Sequence, residues 1–403
     1  MDRMEKANRP DHRGKDISRG SVDVKVIFAL SLAHFIGDFY SAFINPLLPV
    51  FVEEFSLTLT EVGLITGIHR LLAFVVQPSI GYMADRYRTR FFVLGGPLVV
   101  MIFVSLVGIA PTFSILLLFV ALGSVGSSMF HPTAAGMVST FAGSHFGLSL
   151  SILNMGGTLA FGLGPLFITY VVGRYGLPVS PFTMVIGLAV MVFLFRTVPL
   201  PEGEGLKNLG FIQSIKELLA DVWKPIALIW VISVIRTFVS QSFLTFIPVL
   251  YSREGHSLFS AGVIVSLYNI AGALSGVISG HLSDRIGYKP IFYSANFLAT
   301  LSLYLLLYLP GTWIYLNAFL AGFFIMATLP LAVAMAQEFA PRGKSMISSL
   351  MMGLAYGTGG MMAPITGRFA DIYSIRSTLS VLAILPVLTV FLIYWIPERK
   401  REP

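Results

Sequence analysis

Residues 81–90 read Gly81-Tyr-Met-Ala-Asp85-Arg86-Tyr-Arg88-Thr-Arg90, and residues 280–289 repeat the pattern as Gly280-His-Leu-Ser-Asp284-Arg285-Ile-Gly287-Tyr-Lys289. Asp85 and Asp284 stand 199 residues apart, and each copy follows a long apolar run. A polar, cationic turn that returns half a chain later in a very hydrophobic protein indicates a duplicated bundle of membrane helices. The expected fold is an all-α membrane protein of twelve transmembrane helices in two pseudo-symmetric six-helix bundles.

Composition agrees with that reading. Apolar residues make up 55% of the chain and charged residues 12%, against about 25% charged in an average globular protein. Only lipid can cover so much hydrophobic surface. Crossing a bilayer takes about 20 apolar residues per helix. Twelve such spans can be drawn, over residues 25–51, 60–84, 91–110, 113–138, 146–172, 180–198, 224–250, 258–283, 289–310, 313–338, 344–370 and 376–397. Zero cysteines exclude a disulfide framework, a thiolate metal site and thiol chemistry.

The domain plan follows from the connections. Residues 1–23 are polar and charged, without the apolar core of a signal peptide, and read as a cytoplasmic tail. Residues 24–198 form the N-terminal bundle, 199–223 a cytoplasmic linker, 224–397 the C-terminal bundle and 398–403 a second tail. Within the linker, Phe211, Ile212, Ile215, Leu218, Leu219 and Val222 recur at helical spacing. That pattern predicts an amphipathic helix lying on the membrane surface. Of the 27 lysines and arginines, 21 fall on the side of the tails and four, Arg174, Arg253, Arg368 and Arg376, on the other. The positive side is cytoplasmic, so both termini are expected there, in the inner (plasma) membrane of a monomer. The basic balance reflects contact with anionic lipid, and no nucleic-acid-binding module is visible.

The remaining two cations, Arg70 and Arg236, lie inside helices. An ionisable group at membrane depth is costly unless it faces a cavity or a partner, which makes it a site candidate. His34 and Asp38 lie mid-helix one, four residues apart and so on one face. Arg70, with His69 beside it, is in helix two, His131 in helix four, Arg236 and Gln241 in helix seven, and Gln337 and Glu338 near the end of helix ten. Asp38, His34, His131 and Glu338 are the proton-coupling candidates. Arg70, Arg236, Gln241, Gln337, Asn154 and Asn269 are the substrate-binding candidates. Structural alternatives stand beside these roles: an Asp38 ion pair with Arg70 or Arg236, His131 capping the carbonyl freed by Pro132, and Glu338 bonded near the membrane edge. Small residues also repeat, as Ala160-x-x-x-Gly164-Pro165 and Gly359-x-x-x-Ala363-Pro364. They predict either close packing or the flexible contact on which two halves rock.

The repeated turn resembles the signature loop of the major facilitator superfamily, departing from it at Arg88 where the pattern has glycine. The resemblance implies that Gly81, Asp85, Arg86 and Arg90, with Gly280, Asp284, Arg285 and Lys289, act as a conformational latch. It also implies a cavity lined by helices one, four, seven and ten. Ala33-His34-x-x-x-Asp38, Gln77-Pro78-x-x-Gly81, Phe130-His131-Pro132, Ala336-Gln337-Glu338 and the glycines of helix eleven resemble the fosmidomycin-resistance branch. That branch implies proton-driven export of small anionic compounds, a phosphonate antibiotic among them. Helix five partly resembles the Gly-Pro motif of antiporters but lacks its flanking glycines.

The residue chemistry suits such a role. Two permanent guanidinium cations favour a phosphonate, phosphate or carboxylate. Asp38 and the histidines can exchange protons near neutral pH. No phosphate-binding loop for ATP and no nucleophile–base constellation occurs. The expectation is therefore a secondary transporter and not an enzyme, with no cofactor. Its partners are a small-molecule substrate, protons and the lipid bilayer. The alternatives are a metabolite uptake symporter, a divalent-metal carrier using His34, Asp38 and His131, or a transporter-like receptor without flux.

Overall fold

The computed structural model describes residues 22–86, 90–143, 145–200, 222–339, 347 and 350–397. The linker helix expected over 209–223 lies almost wholly outside the described residues, as do Arg88 and both tails. Among the described residues the secondary structure is entirely helical. Eleven segments are long and apolar enough to cross a membrane. They are α1 (Val24–Phe55), α2 (Leu59–Arg86), α3 (Phe91–Ile109), α4 (Phe113–Phe141), α5 (Phe146–Tyr175), α6 (Leu177–Thr197), α7 (Trp223–Arg253), α8 (Leu258–Ile286), α9 (Tyr288–Tyr308), α10 (Trp313–Phe339) and α12 (Ile375–Tyr394).

The twelfth is α11, built from a π segment (Leu350–Ala355) followed by Tyr356–Met361 and Ala363–Ile372. No part of α11 is long enough alone to count as a span. Four glycines between 353 and 360 weaken the helix, and Pro364 removes a backbone donor, which breaks the ladder at Met362. Interruption of this kind is tolerated at membrane depth where neighbouring helices bury it.

The helix starts are written locally. Asp23 accepts from the Val26 amide, Thr112 from Ile115, Ser257 from Ser260 and Ser374 from Ser377. In α2, Thr58 and Glu61 bond each other reciprocally as a capping box. Past α8, Gly287 takes φ +82°, a left-handed conformation that the second copy of the repeated turn supplies with glycine.

The 199-residue offset reappears in the contacts. α2 crosses α11, and α8 crosses α5. A Cβ on Gly63 would sit 2.6 Å from the Ala363 carbonyl oxygen, and one on Gly262, 199 positions later, 2.8 Å from that of Pro165. Gly67 faces the Met361 carbonyl, and its counterpart Ser266 donates to Gly162. Arg90 donates to the Phe195 carbonyl at 3.0 Å, and Lys289 to that of Tyr394 at 3.5 Å. These paired contacts relate the two six-helix halves.

We call the face where α1 starts the terminus face, and the opposite one the far face. α5 and α8 meet through residues 162–169 and 262–270, and α2 and α11 through 59–74 and 357–371. The end of α1 (Ile44–Phe55) packs on α7, and Thr245 bonds Thr66 at 3.1 Å. All of these joints lie at the far face or mid-depth. Among the described residues the halves are joined at the far face and at mid-depth.

Candidate functional site

α1 carries His34 and Asp38 one turn apart, at 7% and 5% exposure. Their depth is set by α5, whose paired glycines let it lie directly on α1. A Cβ on Gly157 would fall 2.6 Å from His34 Nε2 and 2.7 Å from Asp38 Oδ2. Ser31 donates to the Ile152 carbonyl at 2.7 Å, and His34 Nδ1 lies 2.8 Å from that of Leu153. A carbonyl only accepts, so Nδ1 carries a hydrogen and His34 presents Nε2 to Asp38 at 3.0 Å. That short contact requires one more proton between the two groups, either as imidazolium with carboxylate or as imidazole with carboxylic acid. Removing it would set a nitrogen lone pair against a carboxylate. The geometry is that of a buried pair suited to sharing one proton.

α4 supplies the way to that pair. His131 Nε2 lies 3.8 Å from Asp38 Oδ1, with its side chain 39% exposed against 8% for Asp38. It is therefore the most exposed member of the trio. Phe130 covers the other side, its ring centroid 5.2 Å from that of His34. His69 on α2 is fixed by α4. Ser124 spends its hydroxyl hydrogen on the Val120 carbonyl and so accepts from His69 Nδ1 at 2.7 Å. His69 stands within electrostatic range of Asp38 and His131.

The arginines are arranged differently from an ion pair with Asp38. Asp38 is held by histidines, and neither Arg70 nor Arg236 has a carboxylate within 4.0 Å among the described residues. Arg236 on α7 is 3% exposed. Its Nη2 donates to Thr237 Oγ1 at 2.9 Å, and its guanidinium lies 5.2 Å from the centre of the Tyr356 ring. The stem of Arg70 rests on Gly360, one turn beyond Tyr356. The two cations, one from each half, thus converge on the same stretch of α11. Among the described residues, Nε of both arginines and Oε1 of the buried Gln241 have no hydrogen-bond partner. Buried charges left so are expensive unless an anion completes them.

Other candidates stand apart from this centre. Asn154 is exposed on α5, on the stripe that continues through Thr158 to Gly162, and Asn269 is half-buried on α8 beside Ile270, which meets Gly162. Gln337 is half-buried near the end of α10. Glu338 accepts from the Tyr288 hydroxyl at the start of α9, which puts it at the terminus face with the second repeated turn. Of the latch residues, Gly81, Asp85 and Arg86 continue the backbone of α2, and their side chains lie outside the described residues. Gly280 faces open space, Asp284 and Arg285 are exposed, and Arg90 and Lys289 are tied to the last helix of their own halves. Sequence reasoning missed Tyr356, Gly157 and Ser124. An aromatic and a small residue in apolar helices give no signal until a partner helix is placed against them.

His34, Asp38 and His131 each offer one ligand atom, all within 4.8 Å of one another, so the trio could also hold a divalent cation. The carbonyl behind His34 would orient the ring as metal-bound imidazoles are oriented.

A family model described as Major Facilitator Superfamily matches residues 30–347. The Fosmidomycin resistance protein of Escherichia coli is 28% identical over 357 residues, 87% of each chain. The Quinolone resistance protein NorA of Staphylococcus aureus is 24% identical over 306 residues, 72% of this chain and 75% of that one. Among solved structures, a bacterial homolog of the human lysosomal transporter Spinster, inward-facing and occupied, superposes with a TM-score of 0.77. The two share 16% identity, and the match covers 92% of this chain and 96% of that one. This last similarity concerns the fold.

Proposed function

The chain belongs to the major facilitator superfamily of multi-pass membrane transporters, and from that premise we propose that it exports small anionic or drug-like compounds in exchange for protons, by alternating access. The observation that carries this reading is the division of labour in the site. His34 and Asp38 form a buried 3.0 Å contact suited to one shared proton, while neither guanidinium has a carboxylate within 4.0 Å among the described residues. The names of the relatives, which speak of fosmidomycin and quinolone resistance, support the substrate class and the outward direction.

In this mechanism, an anion entering from the terminus face completes Arg70 and Arg236, steadied by Gln241. Asn154, Asn269 and Gln337 line its route. His131 passes a proton between the cavity and the Asp38–His34 pair. Because Asp38 is occupied by His34 and not by an arginine, coupling does not proceed by a carboxylate and a substrate competing for one guanidinium. It proceeds by alternation, because exchange requires that proton and substrate exclude each other. The shared proton leaves through His131 as the anion loads at the terminus face and returns after the anion is released at the far face. Glu338, held by Tyr288, serves the terminus-face end of the cycle with the repeated turns. Their Asp85 and Asp284 act as the latch of the opposite, outward-open state.

The charge bias supports an inner membrane with both termini cytoplasmic, so the terminus face is the cytoplasmic one. Two transport bundles, 24–198 and 224–397, joined by the linker 199–223 and acting as a monomer, fit the paired contacts. The test is transport of fosmidomycin or a fluoroquinolone in proteoliposomes under an imposed pH gradient. Accumulation against the proton gradient supports exchange, and flux along it supports an uptake symporter. A second reading, divalent-metal transport, rests on the three ligand atoms of His34, Asp38 and His131. Calorimetric titration with zinc, and metal-driven flux in the same vesicles, distinguish it.

A further inference from the structure

The carboxylate of Asp371, near the end of α11, is bound to the other half of the molecule. Oδ1 accepts from the Leu59 amide at 2.8 Å, and Oδ2 from the Thr60 amide at 2.9 Å and its hydroxyl at 2.6 Å. The first turn of α2 therefore has two sets of caps. Thr58 takes the Glu61 amide from within the N-terminal half, and Asp371 takes the two preceding amides from the C-terminal half. A negative charge here is also favoured by the positive end of the α2 dipole.

The twin joint lacks this device. α8, the counterpart of α2, is capped by its own Ser257 on the Ser260 amide. Its Leu258 and Phe259 amides have no side-chain partner among the described residues. The position 199 residues before Asp371 is the buried Val172 of α5. The two far-face joints share their glycine contacts, Gly63 on Ala363–Pro364 and Gly262 on Pro165, but only one carries a charged cap. Gly367 brings α11 close enough for it, since any side chain there would press into the Leu59–Thr60 backbone.

We propose that Asp371 is the latch of the far face: a helix cap supplied across the two halves, which holds that face shut and must release before it can open. The inference rests on the alternating-access reading given above, but not on proton coupling or on the substrate. Opening the far face strips two amides of α2 of their acceptors at once, so the cap biases the chain toward the state open at the terminus face. Loss of an N-cap of this kind shifts such an equilibrium on the order of fivefold, and asparagine, with one acceptor oxygen for two amides, keeps only part of the cap.

The absence of native cysteines makes the test direct. Spin labels on Glu54→Cys and Tyr373→Cys, both exposed and one in each half at the far face, report its width by electron-resonance distance measurement. The sample is purified protein in nanodiscs with no substrate and no gradient. The capped parent is expected to give mainly the short distance. Asp371→Ala should raise the ratio of long to short distances about fivefold, and Asp371→Asn, which keeps one of the two acceptor oxygens, should raise it by less. An unchanged distribution in Asp371→Ala, or a larger shift in Asp371→Asn than in Asp371→Ala, overturns the proposal. Because no transport is read, failure of the export reading leaves this result standing, and failure of the latch leaves the export reading untouched.

Discussion

Gly157→Ala tests the construction of the site through its tightest point. The new methyl group would stand 2.6 Å from His34 Nε2 and 2.7 Å from Asp38 Oδ2, about 1 Å inside normal contact. Neither side chain has room to retreat: His34 is tied to the Leu153 carbonyl, and both groups are buried. Either α5 lifts off α1 or the pair separates. Overpacking of a filled core costs about 1–3 kcal/mol, and loosening a hydrogen bond between charged groups costs about 1.5–3 kcal/mol. Only one of the two need give way, so the expected loss is about 2 kcal/mol. That corresponds to a fall of roughly 2–6 °C in Tm for a large chain. Fluorescence-monitored thermal unfolding in detergent reads it.

The double-mutant cycle is decisive, because His34→Ala removes the imidazole that the methyl group strikes. In that background Gly157→Ala should cost under about half as much, a coupling of the size seen for residues in contact. Equal costs in both backgrounds would refute the placement of α5 on the pair.

Three further outcomes follow from the same geometry. Arg236→Lys should weaken binding of an anionic probe nearly as much as Arg236→Ala, because lysine loses both the planar fork and the stacking on Tyr356. Tyr356→Leu should weaken it by a few fold, the size of a desolvated cation–π contact of about 1 kcal/mol; calorimetry measures both. Gly287→Ala places a side chain at φ +82° and should cost about 1–2 kcal/mol. Gly280→Ala, which meets nothing within 4 Å, should be neutral or slightly stabilising, and parallel melting curves compare the two.

The fold was legible because duplication leaves a mark that needs no partner. Gly63 and Gly262, Arg90 and Lys289, and Pro165 and Pro364 stand at one offset in the sequence and make equivalent contacts in space. The pairing of His34 with Asp38 was legible from four-residue spacing alone. What brings His131 to Asp38 is the crossing of α1 and α4, which spacing along one helix cannot show. The alternative of an Asp38–arginine ion pair is not met among the described residues for the same reason. Charge complementarity suggested it, but the helix crossings give Asp38 to two histidines and both arginines to Tyr356 and Gly360 of α11. The discontinuity of α11 was foreshadowed by its glycines and Pro364, though its π segment was not. Glu338, near the end of α10, accepts from Tyr288 of the second repeated turn, a partner that its position in the sequence did not show. Asp371 gave no sign at all, since a lone aspartate at a helix end is unremarkable until another helix begins against it.

The central claim is that the proton shared by Asp38 and His34 is the one exchanged for substrate. The direct measurement follows proton and probe together in proteoliposomes carrying an internal pH-reporting dye, with fosmidomycin added outside and no initial gradient. The account predicts that fosmidomycin entry is accompanied by proton exit in the wild type. In Asp38→Asn, proton movement should vanish while calorimetric binding of fosmidomycin persists within a few fold. Proton exit that continues undiminished in Asp38→Asn, or protons that enter together with fosmidomycin in the wild type, would contradict it.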